Sequence, residues 1–378
     1  MGRSAGARLT CPAPKPTASC GGGLADPPLT GALEPLNMGA VMRRIENPPN
    51  PFERAHLEWD GPPPPAQLEV FEQQAKTALS RNESPDLGFS YSLNPYRGCF
   101  HACAYCYARP SHEYLGFGAG TDFDRRVVVK TNIAELLRAS FEKKSWRGEL
   151  VAFSGNTDCY QPLEASYELT RACLTICAEY RNPVAMITKG TLIRRDIDLL
   201  ARLARQARAS VGISVAFVDD SMARAIEPFA SSPSKRFETI RQLTEAGVPT
   251  NAILGPVILG LNDDQVPEIL QRAAAAGADG ASLLPLRLSP VVRGIFEARL
   301  AEAFPLRAKK VANAYAEAGA DPRGFHQRMH GRGARWAVVE QLFERSCARL
   351  GLTRSTPEGE PEEPSTFRRP RAQLELFG

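Results

Sequence analysis

The sequence predicts an α/β chain folded as an open, partial (β/α)6 barrel, and three observations lead there. Short β-rich runs alternate with longer amphipathic stretches from residue 87 to residue 350, at the roughly 30-residue period of strand–helix–strand units. About six such units fit, where a closed barrel takes about eight. The 378 residues are 43% hydrophobic, enough for a sizeable core, and no run of about 18 apolar residues offers a membrane span.

The strand candidates are 89–93, 150–153, 184–188, 211–217, 250–254 with an extension at 257–259, and 280–285. Helical periodicity marks 133–143, 166–180, 195–205, 234–246, 264–276 and 291–303. The helix near Ser234 has a hydroxyl cap candidate with Glu238 in its first turn, and Gly247 ahead of Val248 and Pro249 is its stop. The next helix stops in the same way at Gly277. Right-handed crossovers collect the strand C-termini on one rim, so the chemistry is expected on the βα loops there.

Five regions follow. Residues 1–42 form an expected disordered head, since 1–37 hold six Pro and six Gly with no hydrophobic period, and Met38 and Met42 are candidate natural starts. Residues 43–81 are a proline-rich wrap, 82–290 the barrel and 291–352 a C-terminal helical region closing it. Residues 353–378, with four Pro, five Glu and four Arg, read as a disordered tail. The formal charge of +4 is compatible with nucleic acid without arguing for it. Nine cysteines, an odd count without a signal-type apolar stretch, argue against a secreted disulfide framework. Metal binding or reactive thiols become the better reading, and the cytoplasm the expected compartment.

Three of those cysteines crowd together. The stretch from Asn94 reads N-P-Y-R-G-C-F-H-A-C-A-Y-C-Y-A-R-P, which places Cys99, Cys103 and Cys106 directly after the first strand. Three thiolates in one tight loop can each bind one iron of a four-iron, four-sulfur cluster, leaving the fourth iron open to a chelating ligand. The alternative is a zinc site with His101 as the local fourth ligand.

The C-x3-C-x2-C spacing after the first strand of a partial barrel resembles the radical S-adenosylmethionine (SAM) superfamily. The phrases N-P-Y-R-G-C, Y-C-Y-A-R-P-S-H and T-D-C-Y-Q-P-L-E resemble one branch of it, the DNA repair photolyase-like proteins related to spore photoproduct lyase. The resemblance covers residues 82–350 and implies a TIM-like partial barrel holding a [4Fe-4S] cluster. It further implies that the cluster chelates SAM and cleaves it reductively to a 5′-deoxyadenosyl radical, which takes a hydrogen atom from substrate.

The resemblance also proposes site residues. The second strand ends in Ser154, Gly155, Asn156, Thr157 and Asp158, where the superfamily holds a Gly-Gly-Glu-like turn for the cofactor's amino group. No glutamate stands there, so Asp158 is either a substitute or a helix cap. Lys189 is expected to pair with the methionine carboxylate, and Ser214 either contacts the cofactor or is a small core residue. Tyr105 and Tyr107 flank Cys106. They are candidates for adenine packing and for a hydrogen-atom return path, with simple packing the alternative for Tyr107. Cys159 is a candidate hydrogen donor, against the alternative of a buried, inert thiol. Cys173 and Cys177 read as small core residues on a helix.

The leading function is a radical SAM lyase acting on damaged nucleic acid, supplied with electrons by a separate donor. A radical SAM enzyme on a protein or small molecule is the same-chemistry rival, and a non-enzymatic metal-binding DNA module the rival of another class. Lys309, Lys310, Arg323, Arg328, Arg332 and Arg335, with His326 and His330, form a basic stretch that suits a phosphate backbone or is simply a solvated face. In the tail, Gln373, Leu374, Leu376 and Phe377 resemble the bacterial sliding-clamp-binding pentapeptide, an expected partner contact.

Overall fold

The computed structural model describes residues 42–45, 68–318, 329–355 and 365–370. The strands are β1 (Met42–Ile45), β2 (Glu69–Gln73), β3 (Leu79–Arg81), β4 (Tyr91–Leu93), β5 (Tyr96–Arg97), β6 (Arg126–Lys130), β7 (Val151–Phe153), β8 (Val184–Thr188), β9 (Ala209–Ser214), β10 (Thr250–Val257), β11 (Gly280–Pro285) and β12 (Thr353–Arg354). The helices are α1 (Thr121–Arg125), α2 (Ile133–Glu142), α3 (Glu164–Tyr167), α4 (Leu169–Glu179), α5 (Ile197–Gln206), α6 (Asp220–Ile226), α7 (Pro233–Glu245), α8 (Val266–Ala275), α9 (Pro290–Ala303), α10 (Pro305–Ala318) and α11 (Gly333–Leu350).

The larger sheet has the order β12-β11-β10-β9-β8-β7-β4-β3. Strands β4, β7, β8, β9, β10 and β11 run parallel, each pairing with the next. Each is followed by helical chain, so the six expected units are present. Among the described residues the sheet stays open, with β3 antiparallel to β4 at one edge and β12 parallel to β11 at the other. The outward faces of the strands (Val151 and Phe153, Val184 and Met186, Val211 and Ile213) are buried beneath the helices. Burial of each such side chain contributes about 1.5–3 kcal/mol relative to exposure.

Two details differ from the sequence reading. The cap of α7 is Ser232, whose hydroxyl accepts from the Lys235 amide, while Ser234 lies inside the first turn and donates to Asp220. The apolar run at 166–180 is broken into α3 and α4 because Glu168 adopts a left-handed conformation, φ 52°.

A second, four-stranded sheet of order β1-β2-β6-β5 lies outside the sequence expectation. Strand β6 pairs parallel with β2 and antiparallel with β5. Its Val127, Val128 and Val129 are fully buried. Because β5 leads straight into Gly98 and Cys99, this sheet carries the entry to the cysteine loop.

Two stretches of the expected disordered tail are ordered. Thr353 and Arg354 make β12, and residues 365–370 lie against the ends of α2 and α4. Phe367 stacks on Tyr180 with ring centroids 6.0 Å apart and meets Phe141 edge-on at 5.8 Å. Arg369 donates to the carbonyls of Phe141, Lys143 and Trp146 at 3.1, 2.6 and 3.3 Å. Phe141 lies in the last turn of α2 and Lys143 is its cap, the end of a helix where cations are favoured. Among the described residues no helix is long and apolar enough to cross a membrane.

Candidate active site

The cysteine loop starts at Gly98, where φ is +79° and an added Cβ would stand 2.9 Å from the Phe123 carbonyl oxygen. Glycine alone takes that backbone at no steric cost. The Cys99 amide then donates to Phe123 O at 2.9 Å, and the chain reverses through Ala102, φ +57°. Gln161 grips the entry with its side-chain amide, accepting from Phe100 N at 3.0 Å and donating to Gly98 O at 3.1 Å. Arg109 grips the exit. It is 2% exposed and donates to the carbonyls of Cys103, Ala102, Ala119 and Gly120 and to the Asp124 carboxylate. A planar five-donor fork can do this and an ammonium cannot.

Cys99 and Cys103 are buried, Cys106 is half-buried, and all three are free thiols. Burial pushes Cys103 up to about 12, with Glu227 adding to the rise and Lys189 opposing it. Burial likewise raises Cys99, helped by Asp158 and by the neighbouring thiols Cys106 and Cys103. Thiols placed like this become thiolates when a metal supplies the compensating charge. Three soft donors on one loop fit a four-iron, four-sulfur cluster, which binds each thiolate at a different iron. Among the described residues no group of three or more His, Cys, Asp or Glu is arranged to hold a metal ion directly. His101 places its Nδ1 3.3 Å from Asp158 Oδ2.

The strand ends meet this loop. Asp158 is tied into the protein: its carboxylate accepts from Thr188 Oγ1 at 2.6 Å, the Lys189 amide at 2.8 Å and the Tyr160 amide at 2.9 Å. Burial works against its charge, yet His101 and these donors hold the carboxyl well below the usual range. Thr157 turns its hydroxyl to Tyr96 O, and Ser154 Oγ accepts from the Cys159 amide at 2.9 Å. Gly155 is exposed beside the loop and Asn156 half-buried, its amide donating to Ser111 Oγ at 3.1 Å. Gly155 is the exposed position of this turn.

Lys189 Nζ stands 5.6 Å from the centroid of the Tyr105 ring. Burial works against its charge, but Cys103 and Glu227 keep its pKa above the ordinary lysine value. Ser214 is buried and donates to Gly255 O at 3.1 Å. Tyr105 is buried too, its hydroxyl donating to Glu227, which in turn pairs with Arg236. Tyr107 is the contrast. It is 55% exposed, donates to Gly155 O at 3.0 Å and lies beneath Arg287, whose guanidinium carbon is 5.6 Å from the ring centroid. Cys159 is fully buried in the main core with Cys173 and Cys177, apart from the cysteine loop's own clusters.

Sequence reading missed Arg109, Gln161, His101 as a partner of Asp158, and the Glu227–Arg236 pair. Arg109 and Gln161 stand inside the quoted phrases. Charged side chains are mostly exposed, so nothing in the one-dimensional pattern marks these as interior. Of the basic stretch, Arg323, His326 and Arg328 lie outside the described residues, as do Gln373, Leu374, Leu376 and Phe377. Arg335 pairs with Glu317 at 3.4 Å, both largely exposed.

The radical SAM superfamily profile matches residues 93–273. An uncharacterised protein of Mycobacterium tuberculosis is 36% identical over 307 residues, 80% of this chain and 86% of its own length. An uncharacterised protein of Methanocaldococcus jannaschii is 30% identical over 198 residues, 52% of this chain and 71% of its own. Among solved structures, spore photoproduct lyase complexed with dinucleoside spore photoproduct superimposes with a TM-score of 0.54 at 14% identity, over 74% of this chain and 79% of that one. The chain belongs to the radical SAM superfamily, and its fold is that of spore photoproduct lyase. Membership implies a [4Fe-4S] cluster and SAM, for which Cys99, Cys103 and Cys106 are the iron ligands available.

Proposed function

We propose that this protein is a radical SAM enzyme of lyase-like type that acts on damaged nucleic acid. When bound, the cluster and SAM supply a 5′-deoxyadenosyl radical for hydrogen abstraction. The chain's own part is to bind, orient and shield. Arg109 and Gln161 hold the loop, Lys189 presents a cation for a carboxylate, and Gly155 and Asn156 offer backbone and amide groups for an ammonium. The buried Tyr105 face closes the floor against water.

The observation that carries the substrate reading is the aromatic and cationic surface beside the thiols. Tyr107, half-exposed under Arg287, and Tyr114, 84% exposed, both follow the last cysteine within eight residues. Exposed rings beside cations stack bases and meet phosphates. Spore photoproduct lyase, similar in fold, binds a dinucleoside photoproduct. Because Cys159 is buried in the core, Tyr107 is the better placed of the hydrogen-return candidates. The test is anaerobic incubation of the reconstituted protein with SAM, reductant and oligonucleotides carrying thymine photoproducts. Substrate-dependent repair with 5′-deoxyadenosine release is expected. Cofactor cleavage without repair on any such oligonucleotide overturns the nucleic-acid reading and favours a peptide or small-molecule substrate.

A partner reading is favoured by the ordered segment 365–370. The sequence that follows it carries Gln373, Leu374, Leu376 and Phe377, a short apolar motif for a sliding-clamp groove. A peptide of residues 369–378 is expected to bind purified clamp with about micromolar affinity, about 8 kcal/mol. Binding unchanged after Leu376→Ala and Phe377→Ala overturns it.

A further inference from the structure

The segment that follows α6 touches the cysteine loop at successive points. The Ala104 amide donates to Ile226 O at 2.9 Å, Tyr105 OH donates to Glu227, and the Phe229 amide donates to His101 O at 3.3 Å. Phe100 and Phe229 stack with centroids 5.3 Å apart. Glu227 is 1% exposed and takes Arg236, itself 1% exposed. Arg236 passes the connection on, donating to Ser214 O at 2.9 Å and Ser231 O at 2.7 Å. One unbroken chain of hydrogen bonds thus runs from the ring between two cysteines to the end of β9. Lys189 stands over the same ring from the end of β8.

Buried ion pairs are poor stabilisers, because desolvation offsets most of their attraction. Their better-attested use is to fix one arrangement out of several. Here the arrangement concerns Tyr105, which sits between Cys103 and Cys106, so that any tilt of its ring moves the turn carrying both thiols. Removing the phenol's partner frees the ring while leaving each cysteine in place in the sequence.

We propose that Glu227 is a positioning residue for the metal site: by holding the Tyr105 hydroxyl against Arg236, it sets the Cys103–Cys106 turn and the place of Lys189 above it. The proposal rests on the cluster assignment and is independent of which substrate is used. Glu227 reaches the loop by hydrogen bond through the Tyr105 hydroxyl, and its charge also acts on Lys189 and Cys103, so Tyr105→Phe isolates the positioning link from the charge.

The experiment uses the full chain, reconstituted anaerobically, with iron content, the electron paramagnetic resonance spectrum of the reduced cluster with and without SAM, and SAM affinity as readouts. Failure of the wild type to load iron would sink the cluster assignment itself, separately from the role of Glu227. Glu227→Gln keeps the acceptor's shape and loses the charge; Tyr105→Phe removes one oxygen and leaves Arg236 paired. Each is expected to keep the wild-type circular dichroism, to change the spectrum recorded with SAM, and to weaken SAM binding about tenfold, the size usual for outer partners of metal ligands. The double variant is expected to be no worse than the worse single one, since both cut the same link. Wild-type spectra and SAM affinity in folded Glu227→Gln, or effects of the two changes that simply add, overturn the proposal. If Glu227→Gln does not fold, Tyr105→Phe decides alone, and an unaltered spectrum and affinity there overturn it.

Discussion

At the rim that carries the strand C-termini the chain is held by buried charge, while at the opposite end it is held by aromatic packing. The rim has Arg109 on loop carbonyls, Asp158 on His101, and Glu227 on Arg236, all with side chains mostly out of water. The other end has Phe367 against Phe141 and Tyr180, with Arg369 closing α2. Apolar contacts are non-directional and tolerate repacking. Hydrogen bonds to buried ions have directions, and losing one partner leaves the other stranded. The end built for chemistry is therefore the one where a single substitution has the larger consequence.

The largest expected effect is at a ligand. Cys103→Ala should reduce 5′-deoxyadenosine formation to background and lower iron per chain, while circular dichroism and the melting temperature stay close to wild type. Arg109→Met comes next. It strands Asp124, whose pKa burial already raises to about 6 against the pull of Arg109, and should cost about 3–5 kcal/mol in denaturant unfolding. Arg109→Lys should rescue little, since an ammonium cannot span five acceptors.

Asp158→Asn sharpens the contrast through pH. The folded-state carboxyl lies below the unfolded value of about 3.9. Its stabilisation is thus complete above that value and is lost as pH falls through the lower, folded one. The variant should be less stable by about 1–3 kcal/mol near pH 7, and the urea midpoints of the two proteins should converge in acid. Parallel curves down to the acid limit would remove this ion from the account. The smallest effect belongs to the opposite end: Phe367→Ala should cost about 1–1.5 kcal/mol and leave iron content unchanged. Gly148, φ +83°, has no room for a Cβ against Phe367 at 2.1 Å, so Gly148→Ala should release the same segment, read as faster proteolysis after residue 355.

How far the sequence carried depended on the kind of signal. Strands β8 and β11 match the expected bounds, and β10 covers the expected run 250–254 and reaches the start of its extension, because each is a short apolar run flanked by helical periodicity. Strand β6 is not legible although Arg126–Lys130 holds three valines in a row, because it follows α1 directly and belongs to the second sheet, outside the strand–helix repeat that marks the barrel strands. The cysteine ligands were legible because spacing along one loop is itself the geometry. The polar partners of Asp158 and Tyr105 were not, since Thr188 and Glu227 stand far from them along the chain. Residues 365–370 were read as disordered from their proline-rich, charged surroundings, and their order comes from partners more than 180 residues earlier in the chain.

The sequence by itself determined the alternation of strands and helices, the rim on which the loops gather, and the C-x3-C-x2-C donor set. Periodicity and local spacing need no knowledge of what is far away. Tertiary structure decided which charges are buried and whom they meet: Arg109 on the loop carbonyls, Asp158 on His101, and Glu227 between Tyr105 and Arg236. A buried charge is tolerated only beside its counter-charge or donors, and in this fold those partners come from other strands and loops, brought together only when the sheet forms.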